Sequence, residues 1–347
     1  MRIFAGFIAV CAIVALGREA PAAQSTAEPL AVARILAAKY PAQPVMSYIP
    51  ALSWSSTLRL SMLTKEPQWR DKAGKDIQAF VSGQAPAMAE PYRLTSMAGA
   101  LAFADAASMN GDIAAGALAQ KVAAYILPQK PDEVIRFATG WTDDMFMASA
   151  VLSRVDNGAH AAAVGKLLTS YAEKLQRPDG LFIHAVDGPH AWGRGNGFAL
   201  LGLTEALTYL PGNWADRPRV LEIYRKHTRA LAAHQSDDGS WRQVVDEPAS
   251  YRELTVTSMI VASLARGVTR GWIDHATFDP IINRGWAAVA ARVNADGTVK
   301  NVCSGTGAGP TKEYYLNRPE VNGADDRGGA MALLAAIEIE SMRRAPR

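Results

Sequence analysis

Two adjacent carboxylates, Asp143 and Asp144, sit in the stretch GWTDDMFM, with Trp141 ahead of them and Met145, Phe146 and Met147 behind. A carboxyl group held among apolar side chains resists ionisation, so its pKa rises and it keeps a proton near neutral pH. That is what a general acid needs. The same pair also reads as helix capping, with Thr142 or Asp143 at the N-cap and acid in the first turn. Taken together, the two readings send one carboxyl into a cavity and leave the other to cap or orient. A second stretch, HAWGRGNGF, carries Trp192, whose ring offers a face to a sugar, and Arg194, whose guanidinium forms a planar fork for a carboxylate. Gly193, Gly195 and Gly197 let a backbone or a ligand approach closely. The plainer alternative is a glycine-rich turn with a solvated arginine. No Gly-Lys-Ser/Thr follows, so this is not a phosphate loop. His184, in LFIHAVD, is either a satisfied structural histidine or a substrate contact. Glu253, and Asp325 and Asp326 with Arg327, read as helix caps or ion pairs that close the fold.

Positioning these groups requires helices almost throughout. Apolar residues recur at helical spacing over 29–39, 53–64, 69–82, 92–109, 112–126, 142–154, 159–175, 193–210, 217–235, 252–270, 276–292 and 324–343. A repeat underlies this: DGLFIHAVDGP begins at Asp179, DGSWRQVVDEP at Asp238 and DGTVKNVCSGT at Asp296. Each Asp-Gly turn follows an odd-numbered helix, runs into a short extended link and leads to an even-numbered one. The even helices are crowded with Ala and Gly, which suits an inner ring. The odd ones carry more charge, which suits an outer ring. The pattern predicts an all-α closed (α/α)6 barrel, with an open solenoid as the alternative. The segments before the even helices, among them SYIPALSW with Trp54, would then share one mouth, where helix N-termini favour an anion.

The chain has 347 residues, 49% of them hydrophobic, and a net charge of +3. That suffices for one large core, and no run of Lys and Arg points to nucleic acid. Met1 and Arg2 precede IFAGFIAVCAIVALG and the small-residue segment REAPAAQS. This predicts a secretory signal peptide over 1–23, hence a periplasmic or secreted protein of residues 24–347 with no membrane attachment after cleavage. The apolar run of about 15 residues is shorter than the roughly 20 that span a bilayer. With Cys11 removed, Cys303 is alone and no internal disulfide is expected. No Cys/His cluster has zinc spacing, and neither a metal nor a cofactor is expected.

These motifs resemble the unsaturated glycuronyl hydrolases of glycoside hydrolase families 88 and 105. GWTDDMFM is similar to their Trp-x-Asp-x-x-(Phe/Tyr)-Met segment. HAWGRGNGF is similar to Trp-Gly-Arg-Gly-Asn-Gly-Trp, the most specific part of the match. WRQVVDEPASYRELTVTSMIVASLARGV and YYLNRPEVNGADDRGGAMALLAAIE follow two further blocks, so the resemblance covers roughly 45–345. It implies an (α/α)6 barrel acting on an acidic oligosaccharide whose terminal uronic acid has a C4=C5 double bond. It also implies Asp143 as acid and then base, and His184, Trp192 and Arg194 as subsite residues. Trp141, Asp144, Asn196, Phe198 and Trp54 complete the expected sugar-contacting set. Three positions depart from the pattern: Thr95 stands near where a second aspartate is usual, Phe198 replaces a tryptophan and Arg327 a histidine. The alternatives are an (α/α)6 glycosidase or lyase of other specificity, and an acidic-sugar-binding protein that has lost its activity.

Overall fold

A computed structural model of the chain describes residues 28–346. The expected signal segment lies outside the described residues. In chain order the helices are α1 (Pro29–Lys39), α2 (Tyr48–Thr64), α3 (Pro67–Val81), α4 (Leu94–Met97), α5 (Leu101–Asn110), α6 (Ile113–Ile126) and α7 (Thr142–Leu152). There follow α8 (Ala161–Leu175), α9 (Gly193–Tyr209), α10 (Arg217–Ala233), α11 (Leu254–Thr269), α12 (His275–Ala290), α13 (Lys312–Leu316) and α14 (Asp326–Arg344). Two short antiparallel pairs complete the fold: β1 (Trp241–Arg242) with β2 (Arg252–Glu253), and β3 (Val299–Cys303) with β4 (Glu320–Gly323).

The inner helices are buried on every side. α9 buries Gly193 to Leu207 without a break, α11 buries Leu254 to Val268, and α14 buries Gly328 to Glu340. Such helices must be enclosed by others. α2, α5, α7, α9, α11 and α14 pack in that cyclic order, and α14 returns to α2, which closes the ring and excludes the open solenoid. The outer helices are amphipathic. α3, for example, buries only Ala73, Ile77 and Phe80, one stripe at helical spacing. Small residues set the close packing. A Cβ on Gly202 of α9 would run into the backbone of α7 at Met145 and Phe146.

The repeat takes the same form three times. Gly180, Gly239 and Gly297 adopt φ of 100°, 88° and 78°, which only glycine enters readily. In each turn the aspartate Oδ1 accepts a 3.0 Å hydrogen bond from the amide two residues on: Asp179 from Leu181, Asp238 from Ser240 and Asp296 from Thr298. Two expected boundaries shift. α2 begins at Tyr48 because Ser47 caps it and Pro50 fits its first turn. The fourth stretch is interrupted by a 3-10 turn at Ala98–Ala100. Gly99 there lies so near α2 that a Cβ would come within 3.3 Å of the Ser47 amide.

The far end of the barrel is sealed by a ring of charge with one member near the C-terminal end of each inner helix. Arg59 of α2 pairs with Glu338 of α14, which pairs with Arg266 of α11. Arg266 also bonds Glu205 of α9 at 2.8 Å, and Glu205 pairs with Arg154 just past α7. Arg154 reaches Asp105 of α5 at 2.9 Å, and Ser55 of α2 donates to Asp105, closing the circle. Three arginines alternate with three carboxylates, so each buried charge is compensated.

Candidate active site

At the mouth, Asp143 and Asp144 occupy the first turn of α7 and point different ways. Asp144 is buried against α8. Its Oδ2 accepts from the amides of Thr139 (2.7 Å) and Gly140 (2.8 Å) and from the Tyr171 hydroxyl (2.7 Å). Its Oδ1 accepts from the Thr139 hydroxyl at 3.0 Å. Burial pushes its pKa up to about 6, against the pull of these donors. Buried, and with both oxygens accepting from donors inside the protein, Asp144 does not face the mouth. It fixes the loop before α7 and so aims its neighbour. The expected sugar contact at Asp144 is therefore replaced by a positioning role.

Asp143 faces the barrel axis. Its side chain is 18% exposed, but Oδ2 is buried and lies 3.3 Å from Nε2 of His184. The two atoms are in contact without hydrogen-bond alignment, and neither has another partner. Catalytic pairs are often loose before substrate arrives. His184 sits in the extended link after the first Asp-Gly turn and is fully buried. Its carbonyl accepts from the Thr142 amide at 3.0 Å, tying the link to the start of α7. Its ring lies 5.1 Å from that of Trp141 and 4.6 Å from that of Trp192, and Nδ1 meets the Tyr315 hydroxyl at 3.0 Å. His184 thus stands buried directly behind the carboxyl of Asp143.

Arg194, in the first turn of α9, is only 2% exposed. Its Nη1 and Nη2 each donate to the Cys303 carbonyl at 3.0 Å, and Nη1 lies 3.5 Å from the Thr255 hydroxyl. Among the described residues no carboxylate lies within ion-pair distance of it. Burial works against its charge, but the acidic groups around it, Glu253 and Asp143 among them, outweigh burial and raise its pKa, so it stays a cation. Gly305, at φ 105°, leaves open the point where a Cβ would stand 3.4 Å from Arg194 Nη2 and 3.5 Å from Arg327 Nη1. Two guanidiniums thus converge at one edge of the mouth. Arg327 is held by Asp325 at 2.7 Å and by the Ser304 carbonyl. Asp325 and Glu253 cap α14 and α11, as expected.

The glycines of HAWGRGNG serve packing within the protein. A Cβ on Gly193 would come 2.6 Å from the Arg242 carbonyl, and one on Gly195 2.7 Å from Thr142 Oγ1 and 3.5 Å from the His184 ring. Four further residues of the expected set are packed within the protein. Trp192 is buried to the same degree as Arg194, beside Val244, Cys303 and Tyr315, and its face meets His184 and the Arg194 guanidinium. Asn196 spends its amide on the Phe182 amide and carbonyl and on the Trp192 carbonyl. Phe198 is buried beneath Tyr48, ring centroids 5.4 Å apart. Trp54 turns outward, donating to Asp76 at 3.2 Å and packing on Phe80 of α3. Trp141 alone of these aromatics keeps an open face, with Gly307 3.7 Å from its ring at the site of a notional Cβ.

Two groups at the mouth lie outside the expected set. Tyr48, the first residue of α2, stands in the field of Arg194, Asp143, Arg327 and Asp325, and burial raises its pKa. Its signal was the segment SYIPALSW, but Trp54 lies six residues further on, about 9 Å down the helix axis. The second is the insert from β3 through α13 to β4, which supplies the Cys303 and Ser304 carbonyls, Gly305 and Tyr315.

The sequence profile of Glycosyl Hydrolase Family 88 matches residues 32–343. The chain belongs to glycosyl hydrolase family 88. Its relatives include an unsaturated 3S-rhamnoglycuronyl hydrolase of Alteromonas sp. (strain LOR), 33% identical over 128 residues, 36% of this chain and 31% of that protein. The unsaturated rhamnogalacturonyl hydrolase YesR of Bacillus subtilis (strain 168) is 24% identical over 209 residues, 57% of this chain and 56% of YesR. The matched segments thus span well under two thirds of either relative. Among solved structures, a family 105 glycoside hydrolase from C. acetobutylicum ATCC 824 superposes with a TM-score of 0.79 at 18% identity, covering 89% of this chain and 99% of that one. A family 88 hydrolase from Bacteroides vulgatus gives 0.74 at 17%, covering 91% and 99%. The family 88 chain therefore shares the (α/α)6 barrel of these proteins.

Proposed function

We propose that this chain hydrolyses oligosaccharides bearing a terminal 4,5-unsaturated uronic acid, the products that a polysaccharide lyase leaves. The observation that carries this reading is the pairing of Asp143, one oxygen closed off by His184, with Arg194, a buried cation lacking a carboxylate of its own. The carboxylate of the substrate answers that cation, and Asp143 then addresses the enol-ether carbon. Asp143 gives its proton to C4 as the C4=C5 π bond breaks, and positive charge develops at C5 and the ring oxygen. Water adds to C5 and returns a proton to the Asp143 carboxylate. The resulting hemiketal opens at the C5–ring oxygen bond. C1, now a hemiacetal, expels the leaving sugar as an alcohol and becomes an aldehyde. One water is consumed, Asp143 is restored, and no step calls on a cofactor. Electrostatic stabilisation at C5 and C6 falls to fixed groups, which need no reorganisation during the reaction. The N-terminal segment fits a periplasmic or secreted enzyme.

A second reading, an acidic-sugar-binding protein, rests on Thr95, an exposed residue near the start of α4 where the resemblance calls for a second carboxylate. One experiment separates the two. Unsaturated 3S-rhamnoglycuronyl and rhamnogalacturonyl disaccharides are the first substrates to test, following loss of the ultraviolet absorbance of the double bond. Wild type is expected to consume one of them, and Asp143→Asn to lower kcat by about 10²–10⁴-fold while still binding. Equal activity in the two proteins removes Asp143 from the mechanism. Binding without turnover in both selects the second reading.

A further inference from the structure

Behind Asp143 lies a line of buried polar atoms that begins in the insert between β3 and β4. The Gly309 amide donates to the Tyr315 hydroxyl at 3.3 Å. That hydroxyl meets His184 Nδ1 at 3.0 Å, and His184 Nε2 faces Asp143 Oδ2 at 3.3 Å. The three side chains come from α13, the first extended link and α7, which are far apart in sequence. Tyr315 and His184 are both fully buried. Gly188 presses on the hydroxyl so closely that a Cβ there would collide with it.

The order of the hydrogens follows from who has an alternative. The Tyr315 oxygen already accepts from Gly309, and among the described residues its own O–H has no acceptor except Nδ1. A hydrogen on Nδ1 would leave the phenol proton buried and unpaired, which is costly. Burial raises the Tyr315 pKa to about 12, so the phenol keeps its proton.

We infer that Tyr315 is a positioning residue that holds His184 in the Nε2–H tautomer and thereby keeps the acid proton of Asp143 on Oδ1, the oxygen on the open side. With Nε2 carrying hydrogen, Oδ2 can only accept. A proton on the carboxyl must then reside on Oδ1, from which it can be delivered to a ligand. Once it leaves, Nε2–H faces the new carboxylate and steadies it. The opposite tautomer would accept a hydrogen bond from Oδ2 and turn the acid proton away from the mouth. The kinetic part of this inference rests on the proposed activity, and the tautomer itself does not.

The test has one arm for each part. In the whole protein labelled with ¹⁵N-histidine, the ring nitrogens of His184, assigned by the signals lost in His184→Gln, are expected to show hydrogen on Nε2 and none on Nδ1. Hydrogen on Nδ1 in the wild type overturns the inference, whatever any variant does. Tyr315→Phe is expected to redistribute the tautomer and to lower kcat about tenfold with KM unchanged, the effect of one buried hydrogen bond. Combined with His184→Gln, the two losses are expected not to multiply. A variant that keeps wild-type tautomer and kcat, or losses that multiply, overturns the inference too. If no unsaturated uronide is turned over by the wild type, the activity reading fails while the tautomer result still decides this one.

Discussion

Replacing Arg266 by methionine would break the charge ring at its most connected point. Arg266 is 7% exposed and bonds Glu205 at 2.8 Å, and it pairs with Glu338 on its other side. Methionine fills the space of the arginine stem and offers neither acid a partner. Glu205 would keep Arg154, and Glu338 would keep Arg59. The size of the effect can be judged from Glu338. Burial alone would push its pKa up, yet Arg266 and then Arg59 hold it at about 2 against an ordinary 4.5. That net difference, left after burial has been overcome, corresponds to about 3 kcal/mol favouring the charged form. Removing one partner from a buried ion pair generally costs about 3–5 kcal/mol, because the survivor is left desolvated. We expect Arg266→Met to lose about 3–5 kcal/mol in equilibrium urea unfolding followed by tryptophan fluorescence, with an unchanged m-value. Arg266 lies twelve residues along α11 from Leu254, about 18 Å from the mouth, so turnover per folded molecule should be preserved. A loss below about 1 kcal/mol would mean that water or side-chain rearrangement already screens the ring, and the argument from burial would fail.

Two further outcomes follow from burial at the mouth. Trp54→Phe should leave kcat/KM within about twofold of wild type while lowering stability by about 1 kcal/mol for the lost bond to Asp76; a marked rise in KM would return Trp54 to the sugar site. Asp144→Asn tests the raised carboxyl. The amide oxygen can take the three donors at Oδ2 and the NH₂ can face the Thr139 hydroxyl, so the fold should survive. The folded pKa of Asp144 is about 6 and the ordinary value 3.8, so the folded state binds the extra proton between these values. Lowering the pH from 7 to 4 therefore stabilises wild type by about 2 kcal/mol relative to the variant, an advantage lost again as pH rises through 6. Parallel stability curves for the two proteins would show that Asp144 titrates normally.

The sequence by itself determined the barrel. Helical periodicity and the spaced Asp-Gly turns are local properties, written in every stretch of chain that forms a hairpin. That is why all twelve stretches recur as helices and the three turns share one geometry. It also brought Asp143, His184 and Arg194 to one mouth, because inner-helix N-termini and the links before them must lie at the same end. The direction of each side chain was decided only by packing around the ring. Asp143 and Asp144 are neighbours in sequence with the same chemistry, and a rotation of about 100° about α7 sends one to the axis and the other to Tyr171. Trp192, Asn196, Phe198 and Trp54 belong to the expected sugar-contacting set, yet packing within the protein buries all four. Neither the charge ring nor the line from Gly309 through Tyr315 and His184 to Asp143 has a local signature. Their members come from separate helices and loops and meet only when the ring closes, since burying a charge or a phenol is tolerable only where distant partners converge on it.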